Sequence, residues 1–356
     1  MTEHISITPR VHVRTYLAAW YLLFIVYGSL SPFTGWKDQG LSFLSVLAAP
    51  LLQTYSWFDT VVNLLAYIPF GLLLGLSLRV RFSMGWSLLL TTLCGIALSA
   101  AMEYTQMYLP GRVSSNLDLL TNTISTLAGA LMAVSIAPRA WFSLHLTRWS
   151  LRLFHTHSNR DFGLALIVLW MFAQINPSLP MLGNVFISKV APPLFEVVRE
   201  EPFSWLESLT VALNLLMLGM LLLTLLRQRR HAVSALLLVV CLVALAKFVA
   251  AAVLLKSWAL LLWLNSEAML GIFAGALLLL AASWLPRLRQ PWVAAFASLI
   301  YLILTQWVLD KGSPSAAMRL YHWNEGHLLN YNGLSQAITL AFPFLMLGYL
   351  WRVRNQ

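Results

Sequence analysis

The chain has 356 residues, of which 59% are hydrophobic and 10% are charged, with a formal net charge of +10 at pH 7. Soluble domains carry about 25% charged residues, so this composition excludes an ordinary soluble domain and indicates a protein of the lipid bilayer. The basic residues lie in short clusters between apolar runs, which indicates topology signals rather than a nucleic-acid partner. Cys94 and Cys241 lie inside apolar runs without a CxxC partner, so neither a disulfide framework nor a thiolate metal site is expected.

Ten apolar runs have a length suited to crossing the hydrocarbon core, for which a helix needs about 20 residues. In chain order they are 15–31, 59–79, 85–108, 117–137, 161–176, 205–226, 232–255, 258–281, 291–309 and 333–351. We therefore predict an all-α fold, a polytopic helical membrane protein with about ten transmembrane helices.

Basic residues between the runs predict the orientation of the chain. With ten spans both termini share one side, which holds fifteen basic residues against seven on the other. Positive charge favours the cytoplasmic side, so we expect a multi-pass protein of the bacterial inner (cytoplasmic) membrane with both termini in the cytoplasm. The long connection at 139–160 has two interpretations, an amphipathic helix at the membrane surface or a solvated basic linker.

The chain divides into four predicted segments. They are a four-helix membrane domain (1–138), the cytoplasmic connector (139–160), a second four-helix unit (161–285) and two additional transmembrane helices (286–356). Short matches between the halves, such as Ala128-Gly129-Ala130-Leu131 with Ala274-Gly275-Ala276-Leu277, favour a degenerate four-helix repeat.

Polar side chains within membrane spans are costly, so they mark candidate sites. The first half carries them near one end of its second, third and fourth helices. The set comprises Asp59, Asn63, Glu103, Gln106, Arg112, Asp118 and Asn122. At about 1.5 Å per residue, Asn63, Glu103 and Asn122 are expected about 6–8 Å below the outer boundary of the membrane.

Two interpretations of this set are open. The groups either pair with one another and lock helix contacts, or form an outward-facing pocket that receives the headgroup of an amphiphile. In the pocket, Arg112 is the candidate anion anchor because its planar guanidinium binds phosphate or carboxylate. Glu103 is the candidate general acid or base, with Asp118 as the second catalytic candidate. The other substrate-binding candidates are Asp59, Asn63, Gln106 and Asn122.

The same residues carry a family resemblance. The ordered elements are Asp59-x3-Asn63, Pro69-x-Gly71, Glu103-x2-Gln106, Pro110-Gly111-Arg112, Asp118 and Asn122-Thr123. Over about residues 15–137, the chain resembles the VanZ-like family, whose namesake is a membrane protein linked to teicoplanin resistance. The family usually has glycine where this chain has Ser125. Some members have an acid where this chain has Ser115, and the lack of that acid makes a metal site less expected here. The resemblance implies a cell-envelope role at the outer leaflet and a link to antibiotic resistance, without a settled reaction.

The second half lacks the Glu-x2-Gln and Pro-Gly-Arg elements and contains Lys247 and Glu267 at matching predicted depths on adjacent helices. We predict a buried structural ion pair between them, the alternative being an ion-coupling site of a transporter. His322, Glu325 and His327 in the last outer loop do not have a recognised zinc spacing, so no metal and no cofactor is expected.

Three functions remain open from the sequence. The first is a VanZ-like envelope protein that binds or modifies a lipid- or glycan-linked anionic headgroup at the outer leaflet and affects susceptibility to teicoplanin. The second is a non-enzymatic membrane scaffold or accessory factor, and the third is a small secondary transporter. Expected partners are membrane lipids and a lipid-linked envelope precursor, with no nucleic acid. The sequence decides neither catalytic turnover nor the oligomeric state.

Overall fold

A computed structural model describes residues 12–50, 57–136, 152–155, 159–187, 203–308, 312–323 and 326–354. Its α-helices, in chain order, are α1 (Val13–Leu30), α2 (Phe43–Ala48), α3 (Trp57–Leu78), α4 (Met84–Gln106), α5 (Asn116–Ile136), α6 (Arg160–Gln174), α7 (Trp205–Leu225), α8 (Ala232–Leu254), α9 (Ser266–Ser283), α10 (Gln290–Ile303) and α11 (Gly326–Arg354). These ranges contain no β-strand. The predicted fold class, an all-α polytopic membrane protein, is confirmed.

Each of the ten predicted runs contains one helix, and the short helix α2 was not predicted. Among the described residues, the helices long and apolar enough to cross a membrane are α1, α4, α5, α7, α8, α9 and α11, and the described apolar part of α3 is Asn63–Leu78. Helix α6 has 15 residues and α10 has 14, both short of a full crossing as straight helices. Ten crossings therefore stay a prediction.

Two helix boundaries in the second half of the chain differ from the prediction. The run predicted to begin at residue 258 becomes helical only at Ser266, because residues 257–264 form a 3₁₀ turn and further turns. Asn265 caps the helix, its side chain accepting a hydrogen bond from the Ala268 N–H at 2.9 Å. Near the end of the chain, α10 ends at Ile303 and a π-helical turn, Leu304–Val308, follows.

The chain folds as two compact units, unit 1 (Met1–Trp149) and unit 2 (Ser150–Gln356). The division falls within the predicted connector, most of which, 139–151 and 156–158, lies outside the described residues. In unit 1 the most extensive contact joins α3 and α5, while α4 packs on α5 and α1 on α3. Glycines allow this approach: a Cβ at Gly129 would lie 2.7 Å from the backbone nitrogen of Leu72.

Helix α7 is the centre of unit 2, and most of its residues are buried. Its most extensive contact is with α9, where a Cβ at Gly275 would lie 2.8 Å from the carbonyl oxygen of Ala212. Helices α10 and α11 pack within this unit, on α7 and on α6 respectively. In both units the second and fourth long helices thus meet at a glycine of the matching Ala-Gly-Ala-Leu segment, and the duplication itself stays a prediction.

Candidate functional site

The predicted site residues of unit 1 lie at the end where α1 and α4 finish and where α3 and α5 begin, called here the site end. The turn that joins α4 to α5 covers residues 107–115. Because α4 arrives at this end and α5 leaves from it, side chains from the last turns of one helix face those from the first turns of the other. The alternation of helix directions thus brings distant parts of the sequence to one place.

Glu103 lies in the last turn of α4 and is only 4% exposed. Its Oε2 accepts a hydrogen bond from the backbone N–H of Ser115 at 2.7 Å. The Ser114 hydroxyl donates to the backbone carbonyl of Glu103 at 2.9 Å, so the turn folds back over the end of the helix. Among the described residues no cation forms an ion pair with this carboxyl, whose direct partner is a neutral backbone N–H.

Amide side chains connect the three helices around Glu103. Asn63 of α3 donates from Nδ2 to Oδ1 of Asp118 on α5 at 2.9 Å. Asn122 of α5 donates from Nδ2 to the Ser99 hydroxyl of α4 at 3.0 Å, and both of these residues are buried. Asn63 and Asp118 are only half-buried, so the group has an accessible edge between α3 and α5.

One buried polar atom in this group, Oδ1 of Asn122, has no hydrogen-bond partner among the described residues. Tyr67 is 3% exposed, has the Ser99 hydroxyl as its polar neighbour and is within electrostatic range of Glu103 and Asp118. The residues Asn63, Tyr67, Ser99, Glu103, Asp118 and Asn122 are called the polar cluster below. Because nearly all buried polar atoms in proteins have partners, the Asn122 oxygen marks a place for water or a ligand.

Arg112 and Gln106 contact the end of α1. Helix α1 is followed by Pro32, which has no N–H to donate to the carbonyl of Gly28. Arg112 supplies that donor, since its Nη2 donates to the carbonyl oxygens of Gly28 at 3.1 Å and Ser31 at 3.0 Å. Gln106 donates from Nε2 to the carbonyl of Ser29 at 3.0 Å. Both side chains complete the hydrogen bonding of α1.

Segment 33–50, which contains α2, packs over the site end. Its backbone and side chains bond to the α4–α5 turn: Lys37 N–H donates to Tyr108 O at 2.8 Å, and Gln39 Nε2 to Met107 O at 2.7 Å. Asn116 at the start of α5 donates to the Ala49 carbonyl at 2.6 Å. The segment also presents exposed apolar side chains, of which Leu44 is 75% exposed.

The structure brings together Asn63, Glu103, Asp118 and Asn122 of the predicted site, and gives Gln106 and Arg112 a separate contact with α1. Asp59 lies in α3, but its side chain is outside the described residues. The sequence analysis did not select Tyr67 or Ser99. Both were detectable, because Tyr67 follows Asn63 by four residues and Ser99 precedes Glu103 by four, which places each pair on one helix face.

The predicted ion pair between Lys247 and Glu267 is wrong. Lys247 donates to backbone carbonyls, whereas Glu267 accepts from the Ser204 N–H at 3.4 Å and the Ser266 hydroxyl at 3.0 Å. The physical reason is the late start of α9, which puts Glu267 in the first turn of its helix while Lys247 lies seven residues before the end of α8. Across the described parts of both units, no group of three or more His, Cys, Asp or Glu side chains could hold a metal ion.

Comparison with known proteins identifies the first unit. The family model described as VanZ/LLP1 matches residues 12–137. No curated protein and no solved structure matches the chain. The matched range contains α1 to α5, the helices that build the polar cluster, and the resemblance predicted from the sequence is confirmed over it. Residues 12–137 of this membrane protein are therefore similar to the VanZ-like family over α1 to α5, and they are called the VanZ-like unit below.

Proposed function

We propose that the VanZ-like unit binds the headgroup of a lipid- or glycan-linked amphiphile at the outer leaflet of the bacterial cytoplasmic membrane, with Glu103 as the acid–base group. The observation that carries the proposal is the buried Asn122 Oδ1, which has no hydrogen-bond partner among the described residues, in the polar cluster around the Glu103 carboxyl. A bilayer offers this atom no hydrogen-bonding solvent, so leaving it unpaired is costly. A ligand that donates a hydrogen bond to it would gain that energy on binding.

The chemistry of the cluster favours a headgroup rich in hydroxyls. Asn122 Oδ1 and the Glu103 carboxyl are acceptors, and the Tyr67 hydroxyl is both donor and acceptor. A sugar or glycerol hydroxyl could donate to the amide oxygen and accept from the phenol at once. Two carboxyl groups, Glu103 and Asp118, disfavour an anionic group inside the cluster. Hydroxyls rather than charge therefore define the part of the headgroup that enters the cluster.

The charged part of the headgroup would lie nearer the surface of the site end. Arg112 remains the proposed anion contact, although its Nη2 is held by the carbonyls of Gly28 and Ser31. A phosphate bound there would share the guanidinium with α1. The exposed apolar side chains of segment 33–50 would place this end at the lipid–water interface, where an amphiphile can arrive from within the leaflet.

Proton exchange is the chemical step that the cluster could support. The Glu103 carboxyl is buried and fixed by the Ser115 N–H, so one oxygen is held while the other is oriented. A carboxylate in such a position can take a proton from a bound hydroxyl, and the carboxylic acid so formed can return the proton to the same oxygen. Such proton exchange would assist a modification of the headgroup, and without turnover the same contacts would serve binding alone.

The test compares Glu103→Gln with a control variant, Glu267→Gln. Glu267 is a carboxylate in the first turn of α9, in unit 2. Glutamine keeps an oxygen that accepts from the Ser115 N–H, so the folded yield should match that of the natural protein. Native mass spectrometry would measure retention of two probes, a glycosylated polyprenyl phosphate and the bare polyprenyl phosphate. We expect Glu103→Gln to weaken binding of the glycosylated probe about tenfold, or ~1.4 kcal/mol. Glu267→Gln should leave it unchanged. In a host exposed to teicoplanin, any change in susceptibility conferred by the protein should follow probe binding.

A membrane scaffold is the second candidate, because Gln106 and Arg112 hold the end of α1 and so stabilise the unit itself. A scaffold predicts that neither probe binds and that Glu103→Gln lowers the amount of folded protein in step with any effect on susceptibility. Unchanged folded yield with lost probe binding would contradict the scaffold. If Glu103→Gln bound each probe as tightly as the natural protein does, the proposed headgroup site would be contradicted.

A further inference from the structure

Unit 2 contains a buried segment of non-helical backbone directly after α6. Residues 176–184 are all buried, although none of them is in a helix. In a membrane protein such backbone must find its hydrogen-bond partners within the protein, because lipid provides none. The segment begins with Asn176-Pro177, and the proline ends the helix by removing an N–H. Carbonyl oxygens near the end of α6 therefore need donors from elsewhere.

Lys247 of α8 supplies those donors. Its side chain is fully buried, and Nζ donates to the carbonyl oxygens of Asn176 at 2.7 Å, Leu179 at 2.7 Å and Pro180 at 3.3 Å. A lysine ammonium has three N–H donors, so all of them are used. Within the described chain Lys247 forms no ion pair with a carboxylate. The positive charge is held by backbone dipoles alone.

Asn176 and the turn that follows it are held by side chains around them, and the Pro180 carbonyl also accepts from the Gly183 N–H at 3.0 Å. Asn176 donates from Nδ2 to Asn332 Oδ1 at 3.0 Å and to the Ser335 hydroxyl at 3.1 Å, and both partners lie on α11. Tyr321 donates to the same Asn332 oxygen at 2.7 Å. Asn176 Oδ1 accepts from the Ser178 N–H at 3.0 Å, which holds the turn itself. The carbonyls of Asn176 and Pro180 thus lie in a turn that has hydrogen bonds besides those of Lys247.

Converging backbone carbonyls at a broken helix end are how membrane proteins coordinate small monovalent cations. The end of α6 adds the negative pole of the helix to the three oxygens. We propose that the carbonyls of Asn176, Leu179 and Pro180 form a monovalent-cation site that the chain fills with its own Lys247 ammonium. This inference concerns unit 2 and is independent of the proposed headgroup site. It implies that unit 2 binds no free ion at this position while Lys247 is present.

The experiment removes the ammonium and offers cations in its place. The full-length Lys247→Ala protein would be unfolded thermally in detergent, at equal ionic strength, in the chlorides of methylammonium, potassium, sodium and choline. We expect a lower midpoint than in the natural protein, partly restored by methylammonium or a small metal cation but not by choline, which is too large for the site. The natural protein should show no such order of cations.

Lys256→Ala is the matched control. Lys256 is partly exposed and donates to one carbonyl, that of Arg319, at 2.9 Å. Its removal should change the midpoint little and give no dependence on the choice of cation. Identical midpoints for Lys247→Ala in all four salts would overturn the proposal. So would an uncharged Lys247→Met protein as stable as the natural one, because packing of the side chain would then suffice.

A second measurement does not depend on the folding of any variant. Reductive methylation of the natural protein, read by mass spectrometry, should modify Lys37 and Lys256 and leave Lys247 unmodified, because its three N–H donors are buried and bonded. Methylation of Lys247 at the rate of Lys256 would show an ammonium that leaves the carbonyls readily. That result would refute a permanently filled site even if Lys247→Ala failed to fold.

Discussion

Replacing Gly129 with alanine tests whether the close approach of α3 and α5 sets the geometry of the polar cluster. The new Cβ would lie 2.7 Å from the backbone nitrogen of Leu72 and against the backbone carbonyl of Ile68. Backbone atoms cannot rotate away as a side chain can. The two helices would therefore have to separate by more than 0.7 Å, because the Leu72 nitrogen alone needs that much to reach the 3.4 Å of ordinary contact and the Ile68 carbonyl oxygen lies closer still.

The same separation would affect the cluster, because Asn63 and Asp118 join the same two helices. Their hydrogen bond, 2.9 Å long, would exceed the length at which a side-chain hydrogen bond persists. Overpacking costs about 1–3 kcal/mol, and the lost hydrogen bond about 1 kcal/mol. The higher helix propensity of alanine offsets about 1 kcal/mol of this. We expect a net destabilisation of about 1–3 kcal/mol.

Thermal unfolding followed by intrinsic tryptophan fluorescence would measure the effect, together with retention of the glycosylated probe. Gly85→Ala in α4 is the control, since a Cβ there would meet nothing within 4 Å. It should unfold at or slightly above the temperature of the natural protein and retain the probe. A Gly129→Ala protein that is as stable as the Gly85→Ala protein would refute the argument that backbone contact limits the distance between α3 and α5.

Three further predictions follow from the site end. Arg112→Ala should destabilise unit 1 by about 1–3 kcal/mol, because two carbonyls at the end of α1 lose their donor. Arg112→Lys should recover part of this stability, and equal unfolding temperatures for both variants would contradict the contact. Ser99→Ala should cost about 1 kcal/mol by removing the acceptor of the Asn122 amide, and an unchanged unfolding midpoint would count against it. A nitroxide spin label attached through Leu44→Cys, in a chain without Cys94 and Cys241, should collide more often with lipid-soluble oxygen than with a water-soluble paramagnetic agent. The opposite order of accessibility would contradict the placement of segment 33–50 at the lipid interface.

Helix spacing was sufficient to predict which residues of unit 1 lie at one level. Asn63, Glu103 and Asn122 lie a few residues from the same end of their helices, and counting residues along those helices locates them. The partners of each side chain were harder to predict, because they depend on how the helices rotate and pack. Arg112 was expected to face a ligand, but the carbonyl that Pro32 leaves without a donor lies within its reach. Prolines after a predicted helix therefore indicate where a later basic residue can bind.

The error at Lys247 arose from a different cause. An apolar run that includes 257–264 has the composition of a membrane helix, yet it folds as turns before the Asn265 cap. Composition alone does not distinguish apolar turns from a helix, whereas a capping residue does. Had the helix been predicted to start at Asn265, Glu267 would have been placed near the end of its helix, away from the depth of Lys247.

The contacts that complete α1 and α6 have a consequence for synthesis of the chain. Arg112 lies 84 residues after Gly28, and Lys247 lies 71 residues after Asn176. While the ribosome extends the chain, each of these helix ends lacks its cationic donor until a later helical hairpin has been inserted. Each helix end must therefore remain in contact with water or the insertion machinery during that interval. The first helix of each unit can be sealed into lipid only after its cationic partner has emerged.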